Sequence, residues 1–214
     1  MLERERELIV AFARRLERDD LAMGTSGNLS ARDGEHVAIT PSAIDYERLT
    51  PKLVCVVGLD GATAEIGPKP STELPMHLAL YAKTDATAIV HTHSPYATTL
   101  STLLDELPSI HYLIAFLGGP VRVAPFATPG SAELGETAAE ALDGRSAVIL
   151  ANHGAITIGP SLEAAYERAR MLEWLCALHY RALLAGDPRI LSDDEMRAVG
   201  EALSDYWTLD TDDT

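Results

Sequence analysis

The sequence predicts a single α/β domain whose central sheet is mixed and largely antiparallel, with helices packed over it. Three observations lead there. Short apolar runs of strand length alternate with amphipathic segments of helical period, two of the runs carry Asp-Gly pairs that mark hairpins, and no linker, repeat or low-complexity stretch interrupts the 214 residues. Crossovers through helices favour parallel pairs and hairpins favour antiparallel ones, so a sheet containing both fits the pattern. Residues 1–214 are therefore read as one domain, with 186–214 as a C-terminal helix and tail.

The elements follow in order. Residues 2–19 form an amphipathic helix, with Leu2, Leu8, Ile9, Phe12 and Leu16 approximating one face. NLSARDGEHVAIT is a hairpin about Asp33-Gly34, and LVCVVGLDGATAEIG repeats the pattern about Asp60-Gly61. The loop GPKPSTELP opens a helix over 73–83, where Ser71 or Thr72 can cap, Glu73 is an acid in a favourable first turn and Pro75 is tolerated. AIVHTH is a buried strand, followed by a helix through about residue 104. VRVAPFA is a strand and 131–142 a helix. SAVILANHGAITIG reads as two strands hinged at residues 152–154. The longest helix starts at a Ser161 cap and stops at Gly186, and a last helix covers 193–206. Tyr206 and Trp207 either anchor that helix or form an aromatic lid.

The charge balance narrows the partners. With 17 basic against 32 acidic residues the net charge is −15, which argues against nucleic acid as a partner and leaves any anionic substrate to local donors. No apolar run is long enough to span a bilayer, and the charged N-terminus does not read as a signal peptide, so no membrane association is expected. Cys55 and Cys176 form no C-x-x-C pair, and the expected location is the reducing cytoplasm.

Histidine placement points to chemistry. With seven histidines in 214 residues, chance gives roughly 0.2 H-x-H pairs. Yet His91 and His93 stand together at the end of an apolar strand, where residues i and i+2 share a face. His153, in ANHG, lies at the mouth of another strand and supplies a third imidazole; its alternative is a turn histidine bonded to its own backbone. Three neutral imidazoles with an open position suit a catalytic zinc ion. Glu73, at a helix N-terminus, is placed to reach that metal, and the hydroxyls of Ser71 and Thr72 with the Gly/Ser/Asn-rich GTSGNLS suit anion capture.

TSGNLSAR, ITPSAIDYERLT, PSTE, HTHSPYATTLS, IHYLIAFLGG, PFATPG and NHGAITIG, in this order and spacing, resemble the class II aldolase/adducin family over about residues 1–184. The resemblance implies a central sheet flanked by helices, one Zn²⁺ per subunit, and a cyclic homotetramer with active sites at subunit interfaces. It implies His91, His93 and His153 as zinc ligands, and Glu73 as displaceable fourth ligand and catalytic base, with a pKa raised toward neutrality. Gly27, Asn28, Ser42, Ala43, Ser71 and Thr72 would bind the substrate phosphate, and Tyr112 would serve as a catalytic acid delivered to the neighbouring subunit. Ala43 stands where such aldolases often have glycine, and Leu74 where many have tryptophan. The implied reaction is reversible cleavage of a ketose 1-phosphate, of the L-fuculose 1-phosphate type, to dihydroxyacetone phosphate and a short aldehyde. Sugar-phosphate dehydratases (methylthioribulose-1-phosphate dehydratase first), epimerases and decarboxylases share the scaffold, as does a non-catalytic adducin-like module.

Overall fold

Helix α1 (Glu3–Arg18) lays Ile9, Phe12, Ala13 and Leu16 against the sheet, all buried. Each large apolar side chain removed from water there contributes about 1.5–3 kcal/mol, so this face holds the N-terminus down. The computed structural model describes residues 1–209, with side chains through Leu203. Tyr206 and Trp207, expected as anchor or lid, lie outside the residues whose side chains are described.

Strands β1 (Asn28–Asp33) and β2 (His36–Ile39) form the first hairpin. Asp33 pairs with His36, so the two-residue loop is Gly34-Glu35, one position later than the expected centre. Strand β3 (Cys55–Gly58) pairs with β2, but the return arm of the second expected hairpin is reduced to a single bridge, Val57 to Thr63. The reason is burial: β3 is the sheet's edge strand, and Ala62–Ala64 are exposed, without an apolar face to pack.

The sheet order is β3-β2-β1-β4-β8-β7-β6-β5, with β4 (Ala88–Thr92), β5 (Glu106–Leu107), β6 (Val121–Ala124), β7 (Ala147–Leu150) and β8 (Gly154–Gly159). All neighbouring pairs are antiparallel except β6 with β7. The expected mixed, largely antiparallel sheet is the one observed. One face carries Leu29, Ala31, Ala88 and Val90 against α1 and the start of α5 (Leu162–Ala185). The other carries Val37, Ile89, Ile156 and Ile158 against α2 (Leu74–Lys83) and α4 (Ala132–Leu142). By strand alternation His91 follows Ile89 onto the α2 side, and Thr92 follows Val90 onto the other.

Helix α3 (Pro95–Leu100) is shorter than expected. Ser101 Oγ donates to the Thr98 carbonyl and Thr102 Oγ1 to that of Thr99, so hydroxyl side chains compete with continued helix. At its start, Glu173 of α5 accepts from the amides of Tyr96 and Ala97 at 2.8 and 2.9 Å, which fixes the chain just after His93. Ser161 caps α5 through the Ala164 amide, as expected. The last helix, α6, spans Asp193–Leu209. No described helix is long and apolar enough to cross a membrane.

Candidate metal centre

Four of the residues singled out in the sequence meet at one point. Glu73, His91, His93 and His153 offer ligand atoms that all lie within 4.8 Å of one another. The imidazole rings stand 4.8–4.9 Å apart, centre to centre, with interplanar angles of 73–81°, so three rings surround a common point edge-on.

Each position has a local cause. His91 comes from the buried end of β4, the central strand, and His93 from the residue just beyond it, tied by its amide to the Leu21 carbonyl at 2.9 Å. His153 sits in the β7–β8 turn, where Asn152 takes the left-handed conformation (φ 54°) that asparagine tolerates. Gly154 follows because no side chain fits: a Cβ there would lie 2.2 Å from the Thr92 carbonyl oxygen. Gly27 is similarly constrained, its Cβ position being 2.8 Å from the His91 carbonyl. Glu73 is itself the N-cap residue of α2, not an acid inside the first turn as expected. Its carboxylate does not cap; Ser71 Oγ accepts the Glu73 amide at 3.2 Å, which frees the carboxylate to turn inward.

The donor set suits a divalent cation. His91 Nδ1 lies 3.0 Å from the Ala155 carbonyl, which can only accept, so Nδ1 carries the proton and Nε2 presents a lone pair. That Nε2 lies 2.9 Å from His93 Nε2 and 3.0 Å from Glu73 Oε2. Glu73 Oε1 is buried, 3.3 Å from His153 Nε2, and has no hydrogen-bond partner. Electron-rich atoms brought this close in a buried place call for a positive charge between them, and three imidazoles with a carboxylate match zinc's preferred donors. Burial, with His91 and His153 alongside, lowers the His93 pKa to about 3, so its ring remains neutral and available as a ligand. Burial acts to raise the Glu73 pKa, but His91, His153 and Asn28 outweigh it and hold the carboxyl below the usual range. The direction is opposite to the raised value expected of a base.

Beside the centre is a cavity of about 300 Å³ whose lining includes Gly27, Asn28, Ser42, Ala43, Ser71 and Thr72, together with Glu73, His93 and His153. Every residue expected on the phosphate is thus brought to one place. Thr25 and Ser26, from the GTSGNLS stretch read as suited to anion capture, complete the lining with Pro41 and Pro129. Among the described residues no lysine or arginine lines the cavity, so an anion there would depend on neutral donors. Ala43 has φ 57°, which explains why glycine suits this position: the constraint is backbone conformation. Tyr112 is not brought in. It opens a 3₁₀ turn (Tyr112–Leu117), is 45% exposed, and stacks on His111, which stands edge-on to Trp174.

Sequence reasoning missed a second layer. Asn28 Nδ2 donates to Glu73 Oε2 at 2.8 Å, and Asn28 Oδ1 lies 2.6 Å from His77 Nε2. The usable signal was Glu73-x-x-x-His77, an i, i+4 pair on one helix face. One hydrogen of the Asn28 side-chain amide is left for an anion.

The chain matches the family model described as "Class II Aldolase and Adducin N-terminal domain" over residues 7–180. It is 41% identical over 209 residues to 5-deoxy-D-ribulose 1-phosphate aldolase of Bacillus thuringiensis serovar kurstaki, covering 96% of this chain and 98% of the relative. It is 40% identical over 189 residues to L-fuculose phosphate aldolase of Escherichia coli K12, covering 87% of each. A solved structure of an L-fuculose 1-phosphate aldolase superposes with a TM-score of 0.90 at 37% identity, covering 94% of this chain and 96% of that one.

Proposed function

The chain belongs to the class II aldolase and adducin family, and from that premise we propose that it is a zinc-dependent aldolase acting on a ketose 1-phosphate. The observation that carries this reading is the convergence of Glu73, His91, His93 and His153 beside a cavity lined by hydroxyl and amide donors. His91, His93, His153 and Glu73 would hold the cation, which when bound supplies Lewis-acid stabilisation of charge developing on the substrate's ketone oxygen.

The protein's own groups do the rest. Ser42, Ser71 and Thr72, with the backbone around Gly27, Asn28 and Ala43, bind the phosphate beside the positive end of α2. In the cleavage direction the C3–C4 bond breaks, the C4 hydroxyl passes its proton to the deprotonated Tyr112 oxygen as the aldehyde forms, and the electron pair stays on C3. Glu73 returns a proton to C3, giving dihydroxyacetone phosphate; in synthesis it removes that proton. Displacement by substrate takes Glu73 away from the imidazoles that lower its pKa while leaving the burial that raises it, so displacement itself strengthens the base. Tyr112 protonates the aldehyde oxygen in synthesis, from a neighbouring subunit of a homotetramer. Its exposure, and its absence from its own subunit's cavity, support delivery to another copy.

The relatives named for 5-deoxyribulose 1-phosphate and L-fuculose phosphate support a product among short aldehydes with a reduced end. The free thiols of Cys55 and Cys176, both buried, suit the cytoplasm. The test is synthesis by the zinc-loaded protein from dihydroxyacetone phosphate and a panel of aldehydes, lactaldehyde included. Strict dependence on that ketone phosphate is expected, and the ranking of aldehydes names the substrate. Turnover unaffected by chelation, or no carbon–carbon bond formation with any aldehyde, refutes the proposal.

A further inference from the structure

Behind Glu73 runs a buried hydrogen-bond chain that the mechanism above does not use. Asn28 Nδ2 meets Glu73 Oε2, Asn28 Oδ1 meets His77 Nε2 at 2.6 Å, His77 Nδ1 meets Ser30 Oγ at 2.6 Å, and Ser30 Oγ meets the Tyr81 hydroxyl at 2.8 Å. Asn28, Ser30, His77 and Tyr81 are all buried. The chain has one consistent direction. A carboxylate only accepts, so Asn28 turns its NH₂ to Glu73 and its carbonyl to His77. His77 Nε2 must then carry a hydrogen. A neutral ring leaves Nδ1 as acceptor, so Ser30 donates to it and Tyr81 donates to Ser30.

We propose that His77 is a positioning residue for the metal centre, acting through Asn28 to fix the carboxylate of Glu73. This rests on the reading of Glu73 as ligand and base. The physical point is that an asparagine amide has two orientations of nearly equal shape, and the wrong one sets a carbonyl oxygen against the carboxylate. A donor on the far side selects the right one. Full burial keeps His77 neutral, and the Ser30 hydroxyl chooses its Nε2–H tautomer. Glu73 and His77 belong to the start of the same helix, so the carboxylate and its indirect support move as one body.

The test measures Co²⁺ affinity of the purified full-length protein alongside steady-state kinetics. His77→Leu keeps the volume and removes the donor. It is expected to weaken Co²⁺ binding by about 10-fold and to lower kcat by about 10–100-fold, with KM changed less than threefold. His77→Gln offers an N–H and a carbonyl oxygen and should restore Co²⁺ affinity to within about threefold of the wild type. In a Glu73→Ala background, His77→Leu should cause no further loss of affinity, because the group it acts on is gone. An equal loss in that background, or no loss in the wild-type background, overturns the proposal. If His77→Leu does not fold, Ser30→Ala takes its place: released tautomer choice should weaken Co²⁺ binding at least about threefold, and unchanged affinity overturns the proposal. A wild-type protein without aldolase activity that still shows these Co²⁺ effects refutes the proposed reaction and upholds the role of His77.

Discussion

Gly154→Ala is the substitution whose consequence can be worked furthest from the structure. The added Cβ would sit 2.2 Å from the Thr92 carbonyl oxygen and 3.0 Å from His93 Cδ2. An ordinary carbon–oxygen contact needs about 3.3 Å or more, so β8 must retreat from β4 by about 1 Å. The obstacle is backbone in a central strand pair, Thr92 opposite Ala155, and no rotamer change relieves it. Overpacking of this kind costs about 3 kcal/mol, at the upper end for inserted methyl groups. In a domain of this size that lowers Tm by about 6–12 °C. The same movement shifts His153 relative to His91 and His93, and a misplacement of about 1 Å can cost as much as 10²-fold in activity. Thermal denaturation with and without chelator, together with Zn²⁺ titration, checks both parts. Gly67→Ala is the control, since nothing lies within 4 Å of its added Cβ, and it should leave Tm and metal binding unchanged. A Gly154→Ala protein with wild-type Tm and Zn²⁺ affinity refutes the argument that close strand approach builds the centre.

His91→Ala removes the ligand supplied by the central strand and should lower activity by at least about 10²–10³-fold together with loss of bound zinc, checked by metal analysis; a metal-free variant with normal turnover would sink the mechanism. Ala43→Gly relieves a left-handed backbone at φ 57° and should stabilise the protein by about 0.5–1 kcal/mol after the extra unfolded-state freedom of glycine is subtracted, measured by urea denaturation. Burial first, then His91, pushes the His77 pKa down to about 3 from 6.5. Because the unfolded chain takes up the proton first, this stability is complete above pH 6.5 and is lost as pH falls toward 3, amounting to about 2 kcal/mol by pH 5. Metal-free wild type should therefore lose stability between pH 7 and 5 more steeply than His77→Gln, and parallel urea midpoints would contradict it.

The parts legible in the sequence were those written in local spacing. Spacing by two anticipated that His91 and His93 meet, although His93 lies one residue beyond β4, Asp33-Gly34 marked the first hairpin to within a residue, and Ser161 caps α5 through its side chain. The seven ordered motifs identified the family and gathered the expected phosphate-binding residues. Less legible was whatever depended on burial. Asp60-Gly61 made a turn without a second strand, because the following residues have no apolar partner at the sheet edge.

What the sequence by itself determined is the set of candidate ligands and the elements that carry them, since dihedral preference, period and turn chemistry act over a few residues. What only the tertiary structure decided is how those ligands are held. Asn28 and Glu73 are separated by 45 residues, and Asn28 and His77 by 49. They meet because β1 lies beside β4 and α2 packs on the same face, an arrangement set by the sum of buried apolar contacts and by no local signal. The unmet valence of Glu73 Oε1, the tautomer of His91 and the left-handed turn at Ala43 are consequences of that packing.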